Sequence, residues 1–311
     1  MKDSNCELTI IKLAIIVVFS LFFSTCSSLG RDTETAIINK HSDNRPPIPF
    51  VVRTKAQIDA YIDENWKDYG YSERPVKFAA ITFDDGPAPA DLYGGSQAMV
   101  DLLNVLKIKA TFYVNGNHLR DDYSQAEVIF DAGHEFGNHS DTHQNLGELR
   151  ARWGEDAVRK QILDCSNETR KVAGAYPRTL RAPFLNSQNQ PWLLNLIANL
   201  DDDEHGNAGM VVIGVSLDSN DWKKEIESGE TSSGISLKAL INNVTRPDRM
   251  IDGVILLFHE TRTSQNRTLT ALPEIVQIYR NAGFWFLTVS EMFSVRGREM
   301  VPGTFHQMIG P

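Results

Sequence analysis

Short apolar runs, each ending on a polar or charged side chain, alternate along this chain with stretches whose apolar residues recur at helical spacing. Phe78-Ala79-Ala80-Ile81-Thr82-Phe83 reads as a buried strand, stopped by Asp84-Asp85-Gly86-Pro87. Further strands are expected over 110–114, 210–217, 254–259 and 285–289, with a strand end at 180–184. Helices are expected over 99–106, 128–132, 157–172, 192–200, 237–244 and 272–281. Continuous apolar strands need cover on both faces, which parallel strands with helices between them obtain. The pattern therefore implies an α/β fold, either a parallel sheet or a barrel. In barrels the chemistry gathers at the C-terminal ends of the strands. Asp84, Asp85, Arg181, Asp218, Asp221 and His259 each follow an apolar strand here, which points to one shared site.

Charge narrows the function. The 311 residues hold 31 basic and 40 acidic side chains, a net charge of −9. A nucleic-acid binder needs a basic footprint, which this balance does not provide. Attachment to anionic lipid by charge is disfavoured on the same ground. A polyanionic substrate stays open, because a local field can oppose the net charge. The three cysteines, Cys6, Cys26 and Cys165, are too few and too scattered for a disulfide framework. Cys165 falls at helical spacing with Val158, Ile162 and Thr169, and reads as a small buried hydrophobe.

The first residues carry an address. Leu13 to Phe23 is apolar apart from Ser20, with Lys2 and Lys12 before it and small polar residues after it. A membrane span needs about 20 apolar residues, so this run suits the core of a secretory signal better. Cys26 resembles the lipidation site of bacterial lipoproteins, although Phe23 and Thr25 depart from the usual box. The expected organisation is a signal peptide over 1–26, of lipoprotein type if Cys26 is lipidated, and a polar tether over 27–50. A helical extension over 51–76, carrying Ile58, Tyr61, Ile62 and Trp66 at helical spacing, precedes a catalytic domain over 77–311. The expected location is outside the cytoplasm, in a bacterial cell envelope or secreted. Membrane contact would come only through an N-terminal lipid or anchor.

His139-Ser140-Asp141-Thr142-His143 places two imidazoles four residues apart. On a helix that spacing puts both on one face. Two such histidines can share a zinc-sized ion if a third ligand comes from elsewhere. A carboxylate of Asp84-Asp85 is the natural candidate, giving two histidines and one aspartate with an open position. Adjacent acids before Gly-Pro also serve simply to shape a turn. Burying both would be costly without a compensating cation.

Five segments, in order, resemble the motifs of the polysaccharide deacetylases, carbohydrate esterase family four. They are Thr82-Phe83-Asp84-Asp85-Gly86-Pro87, His139-Ser140-Asp141-Thr142-His143, Arg181-Ala182-Pro183-Phe184, Asp218-Ser219-Asn220-Asp221-Trp222 and Leu257-Phe258-His259. The resemblance implies a distorted (β/α) barrel with fewer than eight strands and its active site at the C-terminal strand ends. It implies Asp85, His139 and His143 as metal ligands, Asp84 as general base held by Arg181, and His259 as general acid tuned by Asp221. Phe184 would offer its backbone N–H to the oxyanion, and Trp222 and Leu257 would line the acetyl or sugar pocket. Phe184 stands where many members have tyrosine, a change that a backbone role tolerates. The stretches 201–206 and 223–236 look longer than usual and are expected as loops near the groove. His118, His134 and His205 are expected to be structural or surface residues.

The implied activity is metal-dependent removal of N-acetyl groups from a polymer containing N-acetylglucosamine: peptidoglycan, chitin fragments or an exopolysaccharide. The partner is then an acetylated polysaccharide or oligosaccharide, and no nucleic acid. Zinc suits two histidines and an aspartate best, with cobalt, nickel or manganese as alternatives. The chain has no Gly-x-Ser-x-Gly elbow, which argues against a serine esterase. Alternative readings are an O-acetyl esterase acting on xylan and a non-catalytic, metal-bearing, glycan-binding lipoprotein.

Overall fold

The computed structural model describes residues 51–202, 206–224, 234–261 and 264–311. The leader, lipidation site and tether expected over 1–50 lie outside the described residues, as do 203–205 and 225–233 of the two expected loops.

The chain enters through α1 (Lys55–Asn65), started by a Thr54–Gln57 capping box and buried along Ile58 and Ile62. Strand β1 (Lys77–Gly86) leads to α2 (Gly95–Val105) and β2 (Thr111–Val114). Helices α3 (Gly116–Asp121) and α4 (Tyr123–Asp131) precede β3 (Glu135–Asn138), and α5 (Leu146–Trp153) and α6 (Glu155–Ala173) precede β4 (Thr179–Leu180). Helix α7 (Pro191–Ala198) and the antiparallel pair β5 (Asp201–Asp202) and β6 (Gly206–Asn207) lead to β7 (Val211–Ile213) and β8 (Leu217–Asp218). The remaining elements are α8 (Leu237–Thr245), β9 (Val254–His259), α9 (Gln265–Asn281), β10 (Phe284–Phe286), α10 (Val289–Val295) and β11 (Phe305–His306). Among the described residues no helix is long and apolar enough to cross a membrane.

The main sheet runs β11-β7-β4-β3-β2-β1-β9-β8, with β10 pairing the start of β1, and every pair in it is parallel. Six of its strands have three or more residues, fewer than the eight of a full barrel, and three two-residue strands extend it. Strands β7 and β8 sit toward opposite ends of that order, yet only Gly214-Val215-Ser216 separates them. Three extended residues span at most about 11 Å, so the sheet must curl until its ends meet at this segment. The result is a distorted, partly open barrel of parallel strands wrapped by helices.

Side-chain alternation fixes what points inward. On β1, Ala79, Ile81 and Phe83 join the cluster shared with α2, α4, α8 and α9, while Phe78 and Ala80 belong to the inner cluster. Thr82 and Asp84 continue that inner face. On β9, Val254, Leu256 and Phe258 face the helices, and Ile255 joins the inner cluster, so Leu257 and His259 follow it inward. Asp84 and His259 are register partners on neighbouring strands.

Several local expectations need correction. His139–His143 is not helical: Ser140 and His143 take positive φ values of 67° and 53°, and a turn brings the two rings together. The run 210–217 is not one strand, because it switches from one edge of the sheet to the other. The run 285–289 ends its strand at Phe286, and Thr288 caps α10 with a capping box completed by Glu291. Helix α9 starts at Gln265 and carries Pro273 inside it. An interior proline costs about 3 kcal/mol, and burial of Leu272, Ile275 and Val276 offsets it at roughly 1.5–3 kcal/mol each. Strand β1 continues through Asp84 and Asp85 to Gly86 instead of stopping at Phe83. Cys165 is wholly buried, its thiol donating to the Val114 carbonyl at 3.2 Å, and burial pushes its pKa up to about 12.

Candidate active site

At the C-terminal end of β1 the backbone turns sharply, with Asp85 at φ 72°. This turn aims Asp84 and Asp85 at the same space from consecutive positions, where a regular strand would send them to opposite faces. His118 donates from Nδ1 to the Asp85 carbonyl at 2.8 Å and so pins the turn. The ligand atoms of Asp85, His139 and His143 all lie within 4.8 Å of one another. His139 Nε2 and His143 Nε2 face Asp85 Oδ1 at 3.5 and 3.1 Å. Neither contact is aligned as a hydrogen bond, so this buried oxygen has no donor.

The imidazole of His139 is set for a ligand. Its Nδ1 donates to the Arg181 carbonyl at 2.8 Å, which fixes the tautomer and leaves Nε2 turned to the cluster. An orphaned carboxylate oxygen, two converging imidazoles and a locked tautomer fit a divalent ion. The electrostatics agree. Burial raises the Asp85 carboxyl, but the His139 and His143 imidazoles outweigh it and hold it well below the usual carboxylate range. Burial lowers His139, but the Asp84 and Asp85 charges more than compensate, and its pKa rises. His143 is pushed down by burial and by the charge of His139.

Asp84 is 2% exposed and lies against this cluster, Oδ2 at 3.6 Å from His139 Nε2. Its Oδ1 accepts from Arg181 Nη1 at 2.7 Å. Arg181 is fully buried. Its remaining donors reach Thr82 Oγ1 at 2.7 Å and the Ile213 and Gly214 carbonyls at 3.3 and 3.1 Å, and its guanidinium lies 4.1 Å from the Tyr113 ring centre. One side chain therefore holds Asp84 and also ties β4 to the segment that closes the barrel.

His259 stands across from Asp84 and donates from Nδ1 to Asp221 Oδ1 at 2.7 Å. Asp221 Oδ2 accepts from the His259 backbone at 2.9 Å and from Thr268 Oγ1 at 2.6 Å. Burial opposes charge on His259, but the bond to Asp221 and the charges of Asp221, Asp84 and Asp85 prevail and push its pKa up to about 9. Leu257 lies two residues back on the same face and is 2% exposed. Trp222 follows Asp221 and is 49% exposed. Phe184 sits in a tight turn at φ 59°, its ring 65% exposed and 4.6 Å from that of His143.

Asp84, Asp85, His139, His143, Arg181, Asp221 and His259 thus form one connected cluster, with Phe184 at its rim. Asp218 sits outside it, accepting from the Asn220 N–H at 2.7 Å and shaping the loop that presents Asp221. His134 is buried and accepts from the Ala110 N–H at 3.1 Å, while His205 lies outside the described residues. Sequence reasoning missed the part played by His118, because an isolated histidine with no spacing partner carries no signal. Glu260, next to His259 in the chain, is 2% exposed, receives Ser96 Oγ at 3.0 Å, and is pushed by burial up to about 8.

Comparison with known proteins agrees with this architecture. Residues 71–199 match the polysaccharide deacetylase family. A bifunctional xylanase/deacetylase of Pseudobutyrivibrio xylanivorans is 27% identical over 231 residues, which cover 73% of this chain and 32% of that protein. A peptidoglycan-N-acetylglucosamine deacetylase of Bacillus cereus is 27% identical over 217 residues, covering 69% of this chain and 67% of that one. The chain spans about a third of the first relative's length and two-thirds of the second's. A family 4 acetyl xylan esterase from Clostridium thermocellum, solved in complex with a cobalt ion, superposes with a TM-score of 0.59 at 28% identity, covering 75% of this chain and 98% of that one. The family match over residues 71–199, the curled parallel sheet and the ordered motifs all agree, so this part of the chain is similar to a polysaccharide deacetylase domain.

Proposed function

We propose that the protein is a metal-dependent hydrolase that removes N-acetyl groups from a polymer containing N-acetylglucosamine, exported to a bacterial cell envelope. The observation that carries this reading is the placement of Asp84 and His259 on neighbouring strands beside the Asp85–His139–His143 cluster. Those three side chains would hold one divalent ion, with zinc the best match to the donor set. The ion would supply Lewis-acid chemistry: activation of water near neutral pH and polarisation of a carbonyl oxygen.

The chain's own groups account for the proton transfers. Arg181 occupies Asp84 Oδ1, so Oδ2 is the oxygen left to take a proton from the attacking water. The Phe184 N–H donates to the oxygen that gains charge, and one such donor is worth about 3 kcal/mol. An amine leaves poorly unless protonated. His259, bound through Nδ1 to Asp221, keeps Nε2 to deliver that proton, a contribution of about 10²–10⁴-fold. A glycan-binding relic would have no use for a clamped base and a tuned acid on opposite sides of one space, which weighs against the non-catalytic reading.

A panel of N-acetylglucosamine oligomers, peptidoglycan and acetylated xylan tests the proposal, with acetate release read before and after a chelator and after zinc is restored. Chelator-sensitive release from an N-acetylated polymer is expected. Release from acetylxylan alone would transfer the reading to an O-acetyl esterase, which the Clostridium thermocellum structure favours as the second candidate. Release indifferent to chelation would remove the metal from the proposal.

The acid has its own signature. His259 must be protonated to act, and its pKa lies above the ordinary 6.5, so activity is retained below about 9 and lost as pH rises through it. Its charged form likewise adds stability that is fully present below 6.5 and lost through about 9. Asp221→Asn removes the main support of that charge. The alkaline limb of the rate profile is expected to move down by about one unit or more, and an unmoved limb would dissociate Asp221 from the acid.

A further inference from the structure

Beside the candidate metal cluster runs a groove of about 520 Å³ that touches the cluster only through His143 and, at its rim, Phe184. Its other wall is helix α5, which contributes Glu148, Leu149, Arg152 and Trp153. Asn145 caps this helix by accepting from the Gly147 and Glu148 N–H groups at 3.0 and 3.2 Å, so the wall is rigidly started next to His143. From Asn145 to Trp153 the helix extends about 12 Å at 1.5 Å per residue, longer than a single pyranose.

Trp153 is 67% exposed at the far end of this wall, and Phe184 is 65% exposed at the near end. Two large aromatic rings left in water at the ends of one groove lose hydrophobic stabilisation that either would gain by burial. Arg152 lies with its guanidinium 5.2 Å from the Trp153 ring centre. Among the described residues it makes no ion pair, although Glu148 stands one helical turn away, whereas its neighbour Arg150 is paired with Glu155 at 3.0 Å. Flat apolar faces flanked by hydrogen-bonding groups suit a sugar ring. The C–H face of a pyranose stacks on an aromatic plane, and its equatorial hydroxyls reach donors and acceptors at the edge.

We infer that the groove along α5 is a sugar subsite, with Trp153 stacking on a pyranose neighbouring the one presented at the metal cluster. The inference rests on the deacetylase reading for the identity of the ligand and extends it. The protein recognises a run of sugars, and Trp153 is the residue that sets its preference for longer chains. Glu148 and Arg152 together make the wall nearly neutral, so the selection is for chain length and not for substrate charge.

The test uses the N-acetylglucosamine dimer and tetramer with wild-type protein, Trp153→Ala and Trp153→Phe. Affinity is read by calorimetry and turnover by acetate release. Wild type is expected to bind the tetramer more tightly than the dimer. In Trp153→Ala that tetramer-to-dimer ratio should fall about tenfold, the scale of losing one aromatic anchor, and Trp153→Phe should restore most of it. A ratio that is the same in wild type and Trp153→Ala, including the case in which neither protein distinguishes the two oligomers, overturns the subsite. Length-dependent binding that follows the Trp153 variants without any acetate release would keep the subsite and sink the deacetylase reading, so the two failures separate.

Discussion

Asp84→Asn is expected to lower kcat for acetate release by about 10²–10⁴-fold while leaving the metal content of the protein unchanged. Asparagine matches aspartate in shape, and its carbonyl oxygen can still accept the Arg181 Nη1 bond now made at 2.7 Å. The three proposed ligands lie on Asp85, His139 and His143, so the substitution takes nothing from the ion. What it removes is Asp84 Oδ2, the carboxylate oxygen beside the cluster that Arg181 leaves to accept a proton. A base works in the transition state and not in the ground-state complex, so the loss should appear in kcat with little change in KM. His139→Ala is the contrasting case: activity and metal content should fall together. Acetate release at saturating substrate, with metal measured on the same samples, separates the two. An Asp84→Asn protein with wild-type kcat would falsify the assignment of Asp84 as base while leaving the metal site standing.

The strand-end placement of this chemistry was legible because it depends on a period of two. Once Phe78–Phe83 is read as a strand buried on both faces, Thr82 and Asp84 must share one face. The same holds for Leu257 and His259 on β9. The geometry of the histidines was not legible. A four-residue spacing suits a helix, and nothing at Ser140 or His143 announces the positive φ values of 67° and 53° that form the turn. Neither residue is a glycine, and tertiary contacts decide their backbone: Asn138 Oδ1 receives the Ser140 N–H at 2.8 Å, and the Arg181 backbone carbonyl receives His139 Nδ1 at 2.8 Å. Closure of the barrel was hidden for a related reason. Met210–Leu217 is uniformly apolar whether it pairs with one neighbour or passes between two edges, and local composition does not encode which strand lies alongside. Trp153 escaped notice because no helix was expected over 146–153, and an aromatic ring at a helix end acquires meaning only when a groove is seen beside it.

Arg181→Met is expected to lower stability by about 3–5 kcal/mol, among the largest effects open to a single substitution in this fold. The guanidinium is wholly buried, and four of its contacts are hydrogen bonds within 3.3 Å. Methionine fills a similar length but leaves the Asp84 carboxylate buried at 2% exposure without its cation. For a domain of this size roughly 2–4 °C of Tm accompanies each kcal/mol, so thermal unfolding should begin about 6–20 °C lower. A second loss is distinct from the first: the Ile213 and Gly214 carbonyls, which the guanidinium draws toward β4, lose their donors at the segment where the sheet closes. The double variant Arg181→Met/Asp84→Asn removes the unpaired charge but not those orphaned carbonyls. It should therefore recover part of the stability and not all of it, and the unrecovered part measures what Arg181 contributes to closure. Arg181→Lys makes the same point from the other side. It keeps the charge beside Asp84, but an ammonium lacks the planar fork that reaches a carboxylate, a hydroxyl and two carbonyls at once. Calorimetric unfolding of the three variants should then rank Arg181→Met lowest. If Arg181→Met instead melts with the wild type, the contacts of this arginine serve the site alone, and the curl of the sheet must be held by β7, β8 and their neighbours without it.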